Sequence, residues 1–370
     1  MSIRSIVLKL AGRCNLNCSY CYVYNRADRG YLSRPKFIST QTFDATLARI
    51  RDYCDNHSQK GMHLSFHGGE PTLIGPERFD RLASRAKEVL GDRLDGMGIQ
   101  TNATLIDGRW LDVFSKHGIQ PGVSLDGPPH VHDAERVDHR GRGSYRDTVR
   151  GLRRLQDAGF QPGVLCVVNP EMSGLEIYLH FRSLGIRSMG FLLPDASHDT
   201  KHGYYGHLGE TPVADYLVPI FDRWFGDDDP KIKVRVFRDL LRLMFGGDGS
   251  TDAYGNGKME YLVVETDGSI EALDALRVCE DGISKSGFSV HDHGFHELAD
   301  STPLMKRALE EGFKPCGTCL RCPEVAVCGG GYLPHRYSRA RGFDNPSVWC
   351  KDILELIRHM RERTGVQLAA

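Results

Sequence analysis

Cys14, Cys18 and Cys21 stand in the stretch "AGRCNLNCSYCYVYN" at C-x3-C-x2-C spacing, directly after the apolar run "SIVLKL". Thiols this close bind a metal or form a disulfide, and three is odd for a disulfide framework or a closed tetrahedral zinc site. Cluster iron takes thiolate ligands, and three of them leave the fourth iron of a [4Fe–4S] cube open. A zinc site missing its fourth ligand, or three coincidental core thiols, fits the same spacing. Downstream, "FHGGEP" carries Gly68, Gly69 and Glu70. Two glycines let a backbone approach a ligand closely, and a carboxylate accepts hydrogen bonds from an ammonium group. As a bare tetrapeptide, a turn glycine pair is the plainer account. Cys316, Cys319, Cys322, Cys328 and Cys350 form a second concentration of thiols, and C-x2-C pairs are also common zinc knuckles.

The compartment bears on this choice. The start "MSIRSIVLKLAGRCN" has no signal-peptide core or cleavage site, so the expected location is cytoplasmic. Thiols clustered in a reducing compartment bind metal more readily than they pair. With 370 residues, 40% hydrophobic and 26% charged, the chain is an ordinary globular sequence. A net charge of −1 gives no field that favours nucleic acid or an anionic membrane. No apolar run reaches the length of a membrane-spanning helix.

The elements that must position these residues alternate. The strands are expected at "IRSIVLKL", "GMHLSF", "MGIQT", "GIQPGVSL", "QPGVLCVV" and "SMGFLL". Amphipathic helices are expected between them, as in "PERFDRLASRAKEVL", where Phe79, Leu82, Ala83, Ala86, Val89 and Leu90 share one face. Such alternation predicts right-handed βαβ units and a parallel sheet. Six units form a partial (β/α)6 TIM-like barrel rather than a complete one, with chemistry at the C-terminal ends of its strands. The expected segments are 1–200 for the barrel, 201–258 for a helical bridge, and 259–370 for a Cys-rich domain. Within the last, "EYLVVETDGSIEAL" reads as a hairpin turning at Asp267-Gly268. Residues 279–300 read as irregular connection.

C-x3-C-x2-C with an aromatic before the last Cys resembles the signature of radical S-adenosylmethionine (SAM) enzymes. The resemblance implies a [4Fe–4S] cluster on Cys14, Cys18 and Cys21 that chelates SAM through its open iron. Reductive cleavage of SAM would then give a radical that abstracts hydrogen from substrate, chemistry the cofactor carries and the protein positions. In that resemblance Gly68, Gly69 and Glu70 are the motif that holds the SAM amino group. Asn102 in "QTNATL", Ser124 and Asp126 in "SLDGP", and Arg136 in "HDAER" help position SAM, and Tyr20 lies near the adenine.

Cys319-x2-Cys322-x5-Cys328, followed by "GGGY" and Cys350, resembles the SPASM extension of radical SAM peptide-modifying enzymes. That extension usually binds two auxiliary [4Fe–4S] clusters. Here Tyr332 and Leu273 stand where two ligands are expected, and residues 246–262 hold no Cys. The resemblance therefore implies one auxiliary [4Fe–4S] cluster, on Cys319, Cys322, Cys328 and Cys350. Cys316 and Cys279 are left as spare thiols, and Cys54 and Cys166 as core ones. Asp274 follows the lost hairpin ligand; in the related anaerobic sulfatase-maturating enzymes, an Asp after that Cys is the base acting on substrate. A carboxylate can take the proton that must leave with one electron, whereas an exposed hairpin Asp is the bland alternative.

The tail "CGGGYLPHRYSRARGFDNPSVWC", with "VVETDGSIEALD" and "LPDASHD", resembles most the subgroup that builds cyclophanes in ribosomally made peptides. The expected function is thus side-chain cross-linking of a precursor peptide, aromatic carbon to β-carbon. The alternatives are formylglycine formation, thioether formation, epimerisation, or an iron–sulfur redox protein without turnover. Loss of one auxiliary cluster argues against sulfatase maturation, while an intact SAM pocket argues against a mere redox protein. Expected partners are the precursor peptide, a flavodoxin- or ferredoxin-type electron donor, and a separate peptide-recognition protein if the extension or residues 195–250 do not suffice. "HDTKHGYYGHLGE" reads as a surface loop or peptide-contacting lid, and His335, Arg336 and Tyr337 as a packed cluster.

Overall fold

A computed structural model describes residues 3–255 and 259–366; the last three residues of the expected bridge, 256–258, lie outside it. Ten strands are described: β1 (Ser5–Ala11), β2 (Met62–Gly68), β3 (Leu94–Thr101), β4 (Gln120–Ser124), β5 (Gly163–Val167), β6 (Ser188–Leu192), β7 (Lys233–Val234), β8 (Tyr261–Val264), β9 (Ser269–Glu271) and β10 (Lys285–Ser289). The six strands expected from periodicity are β1 to β6. By contact, the chain divides into two compact units. One comprises Met1–Leu125, His132–Pro162 and Met259–Glu311; the other comprises Asp126–Val131, Gly163–Lys258 and Gly312–Ala370. These units cut across the expected segments 1–200, 201–258 and 259–370, because hairpin strand β8 pairs in parallel with β1.

In the first unit the strand order is β10-β9-β8-β1-β2-β3-β4. β1 to β4 and β8 run parallel, and β9 and β10 are antiparallel additions. Parallel pairing demands crossovers, supplied by helices α1 (Thr40–Asn56), α2 (Pro76–Leu90) and α3 (Gly108–His117). Their ends are written locally. Ser39 accepts from Thr42 N to cap α1, Asp107 accepts from Trp110 N to cap α3, and Gly118 closes α3 in the left-handed region. Caps of this kind contribute about 1 kcal/mol each. α2 buries Phe79, Leu82, Ala83, Ala86 and Leu90, as its periodicity required, while Val89 is only half-buried. The rings of Phe66 on β2, Phe79 on α2 and Trp110 on α3 follow one another at 4.9 and 5.3 Å. That contact joins sheet to helices with favourable edge-on geometry. The expected hairpin forms, with Gly268 at a φ of 88° and its N–H bonded to Glu265 O. Residues 279–300 are more regular than expected: they contain β10, which pairs antiparallel with β9, and a 3-10 turn at Phe295–Asp300.

Short helix α4 (Pro129–Glu135) and helix α5 (Tyr145–Asp157) follow β4. In the second unit β5, β6 and β7 run parallel, with helices α6 (Gly174–Ser183), α7 (Lys201–Tyr205), α8 (Pro212–Asp227) and α9 (Arg235–Met244). α7 shows that "HDTKHGYYGHLGE" is partly helical. Beyond α9 the described residues make short α-helices, α10 (Pro303–Lys306, in the first unit), α11 (Gly317–Leu320) and α12 (Val325–Cys328), before the closing α13 (Cys350–Thr364). Among the described residues, no helix is long and apolar enough to cross a membrane.

Candidate active site in the first unit

β1 ends at Ala11, and the three cysteines sit in the loop it feeds, at the C-terminal ends of the parallel strands. No disulfide joins them. Donors surround their sulfurs: Leu16 N lies 3.3 Å from Cys14 Sγ, Asn102 Nδ2 3.9 Å from the same sulfur, and Arg136 Nη1 3.6 Å from Cys18 Sγ. Burial, reinforced by Glu70, pushes the Cys14 thiol well up, and burial together with Cys18 does the same to Cys21. Thiols that burial disfavours as free anions, yet that N–H groups point at, are matched to a cation taking the charge. The donor set fits an iron–sulfur cluster.

The loop's walls come from elsewhere in the same unit. Asn17 N and Ser19 N donate to Val137 O and Glu135 O, His139 lies 2.9 Å from Cys14 O, and the Arg136 guanidinium stands 5.9 Å over the Tyr20 ring. Asn102 is spent on neighbours: its Nδ2 donates to Asn15 Oδ1 at 2.9 Å and its Oδ1 accepts from Thr104. Ser124 accepts from Gln100 Nε2 at 2.9 Å. Asp126, in the second unit, accepts from Val167 N at 3.1 Å.

The "FHGGEP" stretch packs against the triad loop. A Cβ on Gly68 would meet Ala11 O at 2.4 Å, and one on Gly69 would meet the Tyr24 hydroxyl at 2.0 Å and Arg13 O at 2.3 Å. The bareness of these glycines admits the triad loop itself. Glu70 is fully buried and accepts from Thr72 N, Thr72 Oγ1, Thr101 Oγ1 and Asn102 N. It pins the ends of β2 and β3, and only Oε2, with a single bond, keeps capacity for a further donor.

Asp274 is not an exposed hairpin residue. It is buried, ion-paired to Lys9 through Oδ2, and the Tyr22 hydroxyl donates to the same oxygen at 2.9 Å. Burial alone would raise its carboxyl; Lys9, Arg277 and His67 overcome that and hold it far below the usual carboxylate range. Tyr22 adjoins Cys21, so the carboxylate sits one residue from the triad. Behind it lies a buried ion network: Arg277 binds Glu265 at 2.7 Å and Glu271 at 2.6 Å, and Arg34 binds Glu271 at 2.5 Å. Lys9, His67, Tyr22 and Arg277 were not singled out from the sequence. One signal was there: a lysine inside the apolar strand "SIVLKL" must find an anion.

In the second unit, Cys316, Cys319 and Cys328 are buried and Cys322 and Cys350 half-buried. Cys316 Sγ lies 3.6 Å from Cys319 Sγ, so the spare thiol stands within the group. Burial pushes Cys319 and Cys328 up to about 12. Arg336 donates to Phe313 O, Lys314 O and Phe343 O, and His335 and Tyr337 are buried beside it in sequence. Cys54 and Cys166 are buried in α1 and β5.

Residues 8–173 match the family described as the radical SAM superfamily. Those residues are a radical SAM domain. The chain that carries it is an enzyme of the oxidoreductase type, with a [4Fe–4S] cluster and SAM as cofactors. It is similar to the cysteine-type anaerobic sulfatase-maturating enzyme of Clostridium novyi, 24% identical over 356 residues, covering 95% of this chain and 93% of that protein. It is also similar to the serine-type anaerobic sulfatase-maturating enzyme of Bacteroides thetaiotaomicron, at 25% identity over 94% of this chain and 86% of that one. In fold it resembles native anSMEcpe solved with bound AdoMet and Kp18Cys peptide, with a TM-score of 0.83, 23% identity, and 97% and 98% of the two chains covered.

Proposed function

We propose that this enzyme oxidises a Cys or Ser side chain of a peptide segment to an aldehyde, the formylglycine chemistry of sulfatase maturation. The observation that carries it is the buried carboxylate of Asp274, joined through Tyr22 to the loop of the cysteine triad. The relatives named for sulfatase maturation match nearly the full length of both chains, which supports this reading over cross-linking.

Cys14, Cys18 and Cys21 hold the cluster, and Tyr20, Gly68, Gly69, Glu70, Asn102, Ser124, Asp126 and Arg136 border SAM, with the two glycines acting through loop packing. When bound, cluster and SAM supply hydrogen-atom abstraction. Loss of one substrate hydrogen leaves a proton and an electron to depart. Asp274 takes the S–H or O–H proton, and Cys319, Cys322, Cys328 and Cys350 would hold one auxiliary [4Fe–4S] cluster, which would supply a one-electron acceptor. A Ser alcohol becomes the aldehyde directly; a Cys thiol becomes a thioaldehyde that water converts to the aldehyde with release of hydrogen sulfide. In this reading the strands form a partial barrel, the Cys-rich tail is a SPASM-type extension, and a flavodoxin or ferredoxin delivers the starting electron.

Cyclophane formation is the second reading: the tail "CGGGYLPHRYSRARGFDNPSVWC" resembles that subgroup, and Leu273 and Tyr332, standing where two ligands are expected, argue against sulfatase maturation. The test is anaerobic turnover of Cys and Ser peptides from a sulfatase active-site loop, with SAM and dithionite. A hydrazide-reactive aldehyde is the expected product. Two hydrogens lost with no aldehyde, from a peptide offering an aromatic residue instead, would move the assignment to the cross-link.

A further inference from the structure

Lys9 and His67 face each other across β1 and β2 as register partners. Lys9 is 2% exposed, on a strand whose neighbours Leu8 and Leu10 are fully buried. Its Nζ binds Asp274 Oδ2 and lies 3.2 Å from His67 Nδ1. An ammonium donates only, so His67 Nδ1 accepts and its proton sits on Nε2. Tyr22 donates to the same Oδ2. The Lys9 and Tyr22 bonds both fall on Oδ2.

We propose that Lys9 and His67 are positioning residues for the proton-accepting carboxylate: His67 aims the Lys9 ammonium, and Lys9 with Tyr22 holds one oxygen of Asp274 so that the other meets the substrate. This rests on the reading of Asp274 as the base. A plain charge pair would need Lys9 and Asp274 alone. Two further polar side chains converging on the pair, both from elements flanking the triad loop, fix its orientation as well. Such orientation matters because misplacing a reacting group by about 1 Å costs on the order of a hundredfold in rate. The proton from the substrate's S–H or O–H bond lands on Oδ1, while the electron leaves to the auxiliary one-electron acceptor.

The groups facing Asp274 are Lys9, His67, Tyr22 and Arg277. With Lys9→Met, burial works against Arg277 with less opposition, and the carboxyl protonates at higher pH. The test uses the reconstituted enzyme with SAM, dithionite and the Cys peptide. Lys9→Met should lower product formed per 5′-deoxyadenosine by about ten- to a hundredfold and move the acid limb of product formation upward in pH. His67→Gln should give a smaller loss, and Lys9→Arg a partial recovery. Infrared difference spectra of the same holoenzymes, with Asp274→Asn as the blank, should show the carboxylate band protonating at higher pH in Lys9→Met. An unmoved band, or an unchanged product ratio in Lys9→Met and His67→Gln, overturns the inference. If Asp274→Asn turns over normally, the base reading itself falls; if it loses product while the two positioning variants do not, only the present inference falls.

Discussion

The Tyr24 hydroxyl and the α-carbon of Gly69 are packed so closely that a methyl group on Gly69 would stand 2.0 Å from the oxygen. Among the described residues the hydroxyl is buried without a hydrogen-bond partner, so its place against Gly69 is a matter of shape. Gly69→Ala should therefore force the triad loop aside, at about 1–3 kcal/mol as for overpacked cores. Tyr24→Phe alone should be close to neutral in denaturant melts, and adding it to Gly69→Ala should recover part of the loss. Full recovery is not expected, because Arg13 O also lies in the way. Normal stability of Gly69→Ala would show that the loop does not pack as described.

Iron content separates the two thiol groups. Anaerobic reconstitution should give about eight irons per chain, four for each cube. Cys14→Ala, Cys18→Ala, Cys21→Ala should leave about four irons and yield no 5′-deoxyadenosine. Cys322→Ala or Cys350→Ala should lose the other set. Cys316→Ala should keep all of them; a drop in iron there would make Cys316 the ligand in place of a neighbour 3.6 Å away.

Arg277 binds two buried carboxylates, Glu265 and Glu271, and is itself 2% exposed. Arg277→Met leaves Glu265 and Glu271 to share Arg34 as their remaining cation, and breaking a buried pair from one side costs up to about 3–5 kcal/mol. Denaturant unfolding should show that loss. The variant Arg277→Met, Glu271→Gln should be less destabilised than Arg277→Met, since one of the two anions is gone. Equal stabilities would mean the network is solvated.

Acid should weaken the fold through two histidines. Burial lowers His67 to about 3, with Lys9 adding to it, and lowers His132 to about 2, with Arg136 adding to it. Unfolded imidazoles bind a proton below about 6.5 while these two in the native state do not, so stability declines as pH falls from there. Asp274, depressed in the fold, adds stability above the ordinary carboxylate range and loses it only at strongly acid pH. Denaturation midpoints should fall between neutral pH and about 5, and less steeply in His67→Gln. A slope unchanged by His67→Gln would place that imidazole in water.

Local chemistry was legible because it is written at short range. Periodicity placed β1 to β6 and their helices, Asp267-Gly268 marked a hairpin, and cysteine spacing drew attention to Cys14, Cys18 and Cys21. Each of these signals needs only neighbours in sequence. Contacts of single residues were not legible: Gly68 and Gly69 make room for Ala11, Arg13 and Tyr24, contacts set by how two strand ends meet.

What the sequence determined by itself was the alternation of strands and helices and the grouping of the thiols, since both are written among neighbours in the chain. Tertiary structure alone decided the surroundings of Asp274. Lys9 and Asp274 are 265 residues apart, and they meet because β8 adds in parallel to β1 while His67 falls into register with Lys9. Strand pairing is a long-range choice made by the buried faces of the whole sheet, and no window of sequence contains it.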